Sequence, residues 1–269
     1  MDINISSHLR ALRTAVPLVH NITNFVVMNN TANALLAVGA SPVMAHAIEE
    51  IDQVVSLAGA LVINIGTLSP DWARSMLRAA DRANELQIPW VLDPVGAGIS
   101  TLRNDTLFQL LNRNPTVIRG NASEILAMHQ VGTAGGKGVD STETSDQALH
   151  AAKDLNQRYG STVCVSGKID YVVSDTHTAA IHNGHQLMQK VTGLGCTASA
   201  LIAAFTALKT DVFQETVSGM AITSIAGEQA ARLAEGPGTL QLHFYDCLYK
   251  LDPQTVHRHL KIEINGPAS

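Results

Sequence analysis

Only three cysteines occur in 269 residues, Cys164, Cys196 and Cys247, widely spaced and odd in number. They form no CxxC pair and no metal-ligand spacing, which excludes a disulfide framework and points to a reducing compartment. Aromatic residues make up only 4% of the chain. A core with so few rings comes from small and aliphatic side chains in close helix-on-sheet layers. Lys and Arg, 18 together, are outnumbered by 23 Asp and Glu and form no basic tract. The resulting net charge of −5 argues against non-specific nucleic-acid binding, but not against a phosphorylated ligand held by local amides and an arginine. Long apolar runs are missing too: each is broken by Gly, Pro, Asn or Thr before the ~20 residues that span a bilayer. Met1 to His8 has no basic stretch leading into an apolar core, so no secretory signal and a cytoplasmic location are expected.

What is present is apolar and periodic. The chain is 46% hydrophobic and 15% charged, enough for a large core, and its length suits a single α/β domain over residues 1–269. Gly59 to Gly66, Pro89 to Asp93, Thr116 to Arg119 and Thr162 to Ser166 are short apolar runs, as expected of strands buried on both faces. Helical stretches at Ser69 to Leu86, Thr101 to Asn112, Asn121 to His129 and Ser145 to Tyr159 alternate with them. This alternation implies right-handed crossovers and a mostly parallel sheet covered on both sides. Asp170 to Ser174 and Thr178 to His182 are read as a hairpin. Three helices are expected beyond it, opening at Cys196, near Phe213 and at Pro237, with Pro253 ending the last. The Gly135-Gly136-Lys137-Gly138 stretch lacks phosphate-loop spacing and reads as a surface connection.

Val191-Thr-Gly-Leu-Gly-Cys196 leads into a helix rich in small side chains. Glycines ahead of a helix leave backbone N–H groups accessible, and the helix dipole adds positive charge, a combination that holds anions. Cys196 stands in that first turn, where a thiol pKa is expected to fall. The alternative is a glycine-packed helix start with a buried cysteine. In open α/β sheets ligands bind at the carboxyl ends of strands. Asn64, Gly66 and Thr67, then Asp93, then Arg119, Asn121 and Glu124, then Ser166, Gly167 and Lys168 all fall at such ends. Carboxylates suit Mg2+ and an arginine suits phosphate. Each also has a plain structural role: Asp93 shaping a turn, Glu124 favouring a helix dipole, Arg119 in a surface ion pair.

Val19-His-Asn-Ile-Thr-Asn24 has too many amides for an idle loop and the wrong composition for a core strand; a helix is expected near Phe25 or Val26. Gly39-Ala-Ser-Pro-Val-Met44 places an apolar Met44 after a turn, and amides with a methionine suit a small, partly apolar heterocycle. Capping asparagines and a core methionine are the competing reading. His20, His46, His182 and His185 have no metal-ligand spacing and are taken as packing or surface residues.

These stretches, with Asn64-Ile-Gly-Thr67, Asp93-Pro-Val-Gly-Ala-Gly98 and Arg119-Gly-Asn-Ala-Ser-Glu124, resemble hydroxyethylthiazole kinases, in family order and up to Gly236-Pro-Gly238. The resemblance implies a three-layer α/β/α ribokinase-like fold with no separate lid domain. It also implies a homotrimer with the substrate near subunit boundaries, and ATP- and Mg2+-dependent phosphorylation of 4-methyl-5-(2-hydroxyethyl)thiazole in thiamine salvage. By position it assigns Asn24, Met44 and Gly193 to the thiazole, Arg119, Ser166 and the Gly195 turn to ATP, and Asp93 and Glu124 to Mg2+. Cys196 takes the place of the catalytic aspartate of ribokinase-like sugar kinases. The family often has Thr at Ser166 and Ala at Leu194, and the bulkier leucine bears on the packing of the anion loop. Hydroxymethylpyrimidine (phosphate) kinase is the nearest alternative; a nucleotide-binding scaffold and a cysteine hydrolase are further ones.

Overall fold

A computed structural model describes residues 3–132 and 144–266, so the Gly135 to Gly138 stretch lies outside the described residues. Nine strands make one sheet: β1 (Leu18–Ile22), β2 (Ser41–Val43), β3 (Ala60–Asn64), β4 (Trp90–Asp93), β5 (Val117–Asn121), β6 (Thr162–Ser166), β7 (Asp170–Val173), β8 (Thr178–Ile181) and β9 (Ile262–Asn265). Their spatial order is β2-β1-β3-β4-β5-β6-β7-β8-β9. Pairing is parallel from β2 through β6 and antiparallel from β6 to β9. Asn64 of β3 is level with Asp93 of β4, and Asn121 of β5 with Ser166 of β6, so these strands finish on one edge.

Apolar side chains of the parallel strands alternate between two cores. Val62, Val91 and Val117 face one core, shared with helices Met28–Val38, Leu194–Thr206, Val212–Leu233 and Pro237–Lys250. Leu61, Ile63, Trp90 and Leu92 face the other, under helices Ile51–Leu57, Pro70–Glu85, Thr101–Leu111 and Thr144–Tyr159. Local chemistry fixes where helices begin. Ser69 accepts a hydrogen bond from the Trp72 N–H while Pro70 takes the first helical position.

Four expectations are corrected, and one helix not foreseen is added. The Val19 to Asn24 stretch does contain a core strand, β1, because its polar side chains find buried partners: His20 Nε2 meets the Ala45 carbonyl at 2.8 Å. The helix after it begins at Met28, not Phe25 or Val26. An additional helix, Ile5–Ala15, precedes β1. The helix expected to open at Cys196 starts two residues earlier, at Leu194. Pro253 opens a further helix, Pro253–His259, capped by the Asp252 side chain, and β9 follows it.

Burial of His20 makes the fold pH-sensitive. Desolvation is the main cause that lowers its pKa from 6.5 to about 4, and proximity to His46 works in the same direction. The folded state therefore favours the neutral ring. That stability is present above pH 6.5 and is lost as pH falls towards 4, amounting to about 3 kcal/mol for this one group. His20→Gln is expected to flatten the acid side of the stability–pH curve between those values. Urea melts across the range check it; an unchanged slope assigns acid sensitivity to other groups.

Candidate active site

The carboxyl ends of β3 to β6 and the first turn of helix Leu194–Thr206 surround a cleft of about 1190 Å³. The helix start is set by Gly193, whose backbone sits at φ 84° in the left-handed region. A Cβ there would lie 2.6 Å from Val27 Cγ1, so glycine is required for both backbone and space. Leu194, at 8% exposure, turns into the apolar core and leaves the peptide groups of the turn beside the cleft. A Cβ on Gly195 would lie 2.8 Å from Arg119 Nη1, which brings that guanidinium against the helix start.

A buried polar chain runs from the thiol to the sheet. Asn24 Nδ2 donates to Asn64 Oδ1 at 2.8 Å and approaches Cys196 Sγ at 3.6 Å. Asn64 Nδ2 donates to Asp93 Oδ2 at 2.7 Å, and Ser199 Oγ donates to the same oxygen at 2.8 Å. Asp93 Oδ1 is buried without a hydrogen-bond partner. Burial is the main cause that pushes the Asp93 carboxyl up to about 6, against the pull of Arg119. Burial also opposes the Arg119 charge, but Asp93 and weaker neighbours raise its pKa above the ordinary arginine value. Arg119 Nη2 donates to Ser166 Oγ at 2.7 Å, joining β5 to β6.

Glu124 has a structural occupation. Its Oε2 accepts from the Asn121 N–H at 2.9 Å while Asn121 Oδ1 accepts from the Glu124 N–H at 2.9 Å, a reciprocal cap on helix Ala122–Gly132. Its Oε1 accepts from the Gly96 N–H at 3.3 Å, which ties the β4 loop to that helix.

The expected fall of the Cys196 pKa is not found. Burial, with Asp93 adding to it, pushes the thiol up to about 12. Hydrogen bonding and Arg119 pull the other way, and they lose. Near neutral pH this favours the protonated thiol over the thiolate. Of the residues assigned from the sequence, Asn24, Asp93, Arg119, Glu124, Ser166, Gly193, Gly195 and Cys196 line the cleft. Met44 does not: it is half-buried just past β2, the edge strand.

A sequence profile of the hydroxyethylthiazole kinase family matches residues 9–254. The chain belongs to the hydroxyethylthiazole kinase family. It is 55% identical over 260 residues to hydroxyethylthiazole kinase of Syntrophus aciditrophicus, covering 96% of both chains. Against the enzyme of Leptospira biflexa it is 51% identical over 259 residues, again 96% of both. The solved structure of hydroxyethylthiazole kinase from Pyrococcus horikoshii OT3 superposes with a TM-score of 0.90 at 43% identity, over 97% of this chain and 98% of that one. Pyridoxal kinase from Staphylococcus aureus, solved with pyridoxal, superposes with a TM-score of 0.66 at 15% identity, over 93% and 99%. That likeness is one of fold alone, and it accords with the ribokinase-like architecture that the family resemblance implies.

For a hydroxyethylthiazole kinase chain, two residues of the polar network carried no assigned role at the sequence level. Asn64 is visible in the sequence as a polar residue at a strand end and as the start of the Asn64-Ile-Gly-Thr67 stretch, with no partner indicated. Ser199 sits among the alanines of its helix, and only the distance to Asp93 gives it meaning. Among the described residues, no helix is long and apolar enough to cross a membrane, and no group of three or more His, Cys, Asp or Glu is placed to hold a metal ion.

Proposed function

We propose that the protein transfers the γ-phosphoryl group of ATP to the primary hydroxyl of 4-methyl-5-(2-hydroxyethyl)thiazole, yielding the thiazole phosphate for thiamine salvage in the cytoplasm. The observation that carries this reading is the Gly193–Cys196 turn, which lines the same cleft as Asn24 on one side and Arg119 on the other. Donor and acceptor therefore have separate walls with an amide-rich helix start between them. Asn24 and Gly193 contact the thiazole and its hydroxyethyl arm; Arg119, Ser166 and Gly195 hold the triphosphate. In loose phosphoryl-transfer transition states, positioning and charge neutralisation supply most of the rate, and these groups provide both.

The residues present fit a hard divalent cation. Asp93 Oδ1 is a buried carboxylate oxygen with no partner, and Mg2+ typically takes only one or two protein carboxylates beside nucleotide phosphates. Asp93 would hold the ion, and Glu124, both oxygens already accepting N–H groups, would act through water or through its charge. Bound Mg2+ would neutralise phosphate charge. A homotrimer of single-domain chains is part of the same reading, and it gives the outlying Met44 a place in a shared thiazole pocket.

In this reading Cys196 accepts the hydroxyl proton as its thiolate, and because a thiol held near 12 is almost wholly protonated at neutral pH its contribution is small. Cys196→Ala is accordingly expected to lower kcat by about 10²-fold, the low end for a general base, with ATP affinity within about threefold, the equivalent of under 1 kcal/mol. Cys196→Asp is expected to retain turnover, because a carboxylate accepts the same proton. Single-turnover kinetics with nucleotide titration check both, and full turnover by Cys196→Ala removes the base role while leaving the anion turn intact. The function itself is tested by offering the thiazole alcohol and hydroxymethylpyrimidine side by side. Preference for the pyrimidine selects the related kinase, and turnover of neither selects a nucleotide-binding scaffold.

A further inference from the structure

Arg103 occupies the third position of helix Thr101–Leu111, after the Ser100 cap. A cation in a first helical turn opposes the helix dipole, so local helix chemistry does not account for it. Its tertiary contacts do. Nη1 donates to the Val95 carbonyl at 2.7 Å and to the Ile65 carbonyl, and Nη2 donates to the Gly66 carbonyl. One planar fork thus bridges the loop after β3 and the loop after β4. A lysine ammonium lacks the geometry to reproduce this.

Both loops carry the site. A Cβ on Gly66 would lie 2.6 Å from Asn24 Nδ2, so the Gly66 peptide is the surface against which Asn24 is seated. Val95 follows Asp93 by two residues and lines the cleft, and the Gly96 N–H next to it donates to Glu124. Arg103 itself is not among the residues lining the cleft.

We propose that Arg103 is a positioning residue for phosphoryl transfer: its guanidinium locks the β3 and β4 loops together and so fixes the Asn24 side of the cleft relative to Asp93. Misplacing reacting groups by about 1 Å costs about 10²-fold in rate, and separation of the two loops is a displacement on that scale. The guanidinium's hydrogen bonds go to Ile65, Val95 and Gly66 and not to the β5–β6 wall, where Arg119 meets Ser166, so that wall is expected to move less.

The inference rests on the site assignment proposed above, so Asn24→Ala is measured beside the Arg103 variants. Arg103→Met is expected to lower kcat/KM for the thiazole alcohol by about 10²-fold, per active site counted by nucleotide titration, with KM for ATP within about threefold, a difference of under 1 kcal/mol. Arg103→Lys is expected to regain only a small part. Arg103→Ala is expected to recover activity in millimolar methylguanidinium but not in methylammonium, which a generally loosened fold would not do. Equal losses on both substrates with no guanidinium rescue, or activity near that of the parent, overturn the positioning role. An unchanged alcohol KM in Asn24→Ala refutes the site assignment, and the positioning role falls with it.

Discussion

Arg119→Met is expected to lower kcat/KM by about 10³-fold, comparable to the loss of a principal transition-state donor or an arginine finger. The side chain is 7% exposed, lies beside the Gly195 turn and donates to Ser166 Oγ at 2.7 Å. Methionine fills much of the volume but removes the charge. Under the proposed assignment two effects act together: the triphosphate loses its cation, and Asp93 loses the neighbour that opposes its burial. The Asp93 carboxyl, already at about 6, rises further and spends more time protonated near neutrality. Steady-state kinetics with both substrates varied, on protein whose far-ultraviolet spectrum matches the parent, check the result. Arg119→Lys restores charge without the fork and is expected to fall between the two. A methionine variant within tenfold of the parent excludes Arg119 from the reaction.

Gly193→Ala is expected to cost about 10²-fold in kcat through displacement of the Gly193–Cys196 turn, the proposed anion site. It is also expected to cost roughly 2–4 kcal/mol in stability, combining left-handed strain with overpacking against Val27. The Cβ has no free direction, since Val27 Cγ1 stands 2.6 Å from it at a backbone φ of 84°. Gly236→Ala is the control: its φ of −176° suits any residue and no atom lies within 4 Å of the added carbon. Thermal melts of the two variants, with kinetics at a temperature where both are folded, separate stability from turnover. Equal behaviour of the two would show that the anion turn tolerates a side chain and does not set the transfer geometry.

Strands β3 to β6 of the parallel part were legible because strands buried on both faces read as continuous apolar runs, whereas the short edge strand β2 was not. Thr162 to Ser166 was bounded as it stands, and the Asp170 to His182 hairpin was found within a residue at each outer end. β1 was missed for the same physical reason in reverse. His20, Asn21 and their neighbours look like loop chemistry until tertiary acceptors such as the Ala45 carbonyl are in place. The site's loops were recognised through their glycines, since tight turns and close approach demand them. What holds those loops was not: Arg103, Asn64 and Ser199 act on partners from other elements, and no spacing along the chain encodes that. Cys196 shows the limit most clearly. A helix start lowers a thiol pKa when the sulfur is solvated, whereas here burial beside Asp93 outweighs Asn64, Arg119 and Asn24, the groups that favour the thiolate.

The antiparallel end of the sheet bears on biosynthesis. β8 pairs with β7 on one side and with β9, formed by residues 262–265, on the other. During translation the hairpin leaves the ribosome well ahead of that last strand, so for an interval a row of unpaired peptide groups is available to a neighbouring nascent chain. Crowded polysomes would make this a stage exposed to aggregation, before the short β9 takes over as the edge of the sheet.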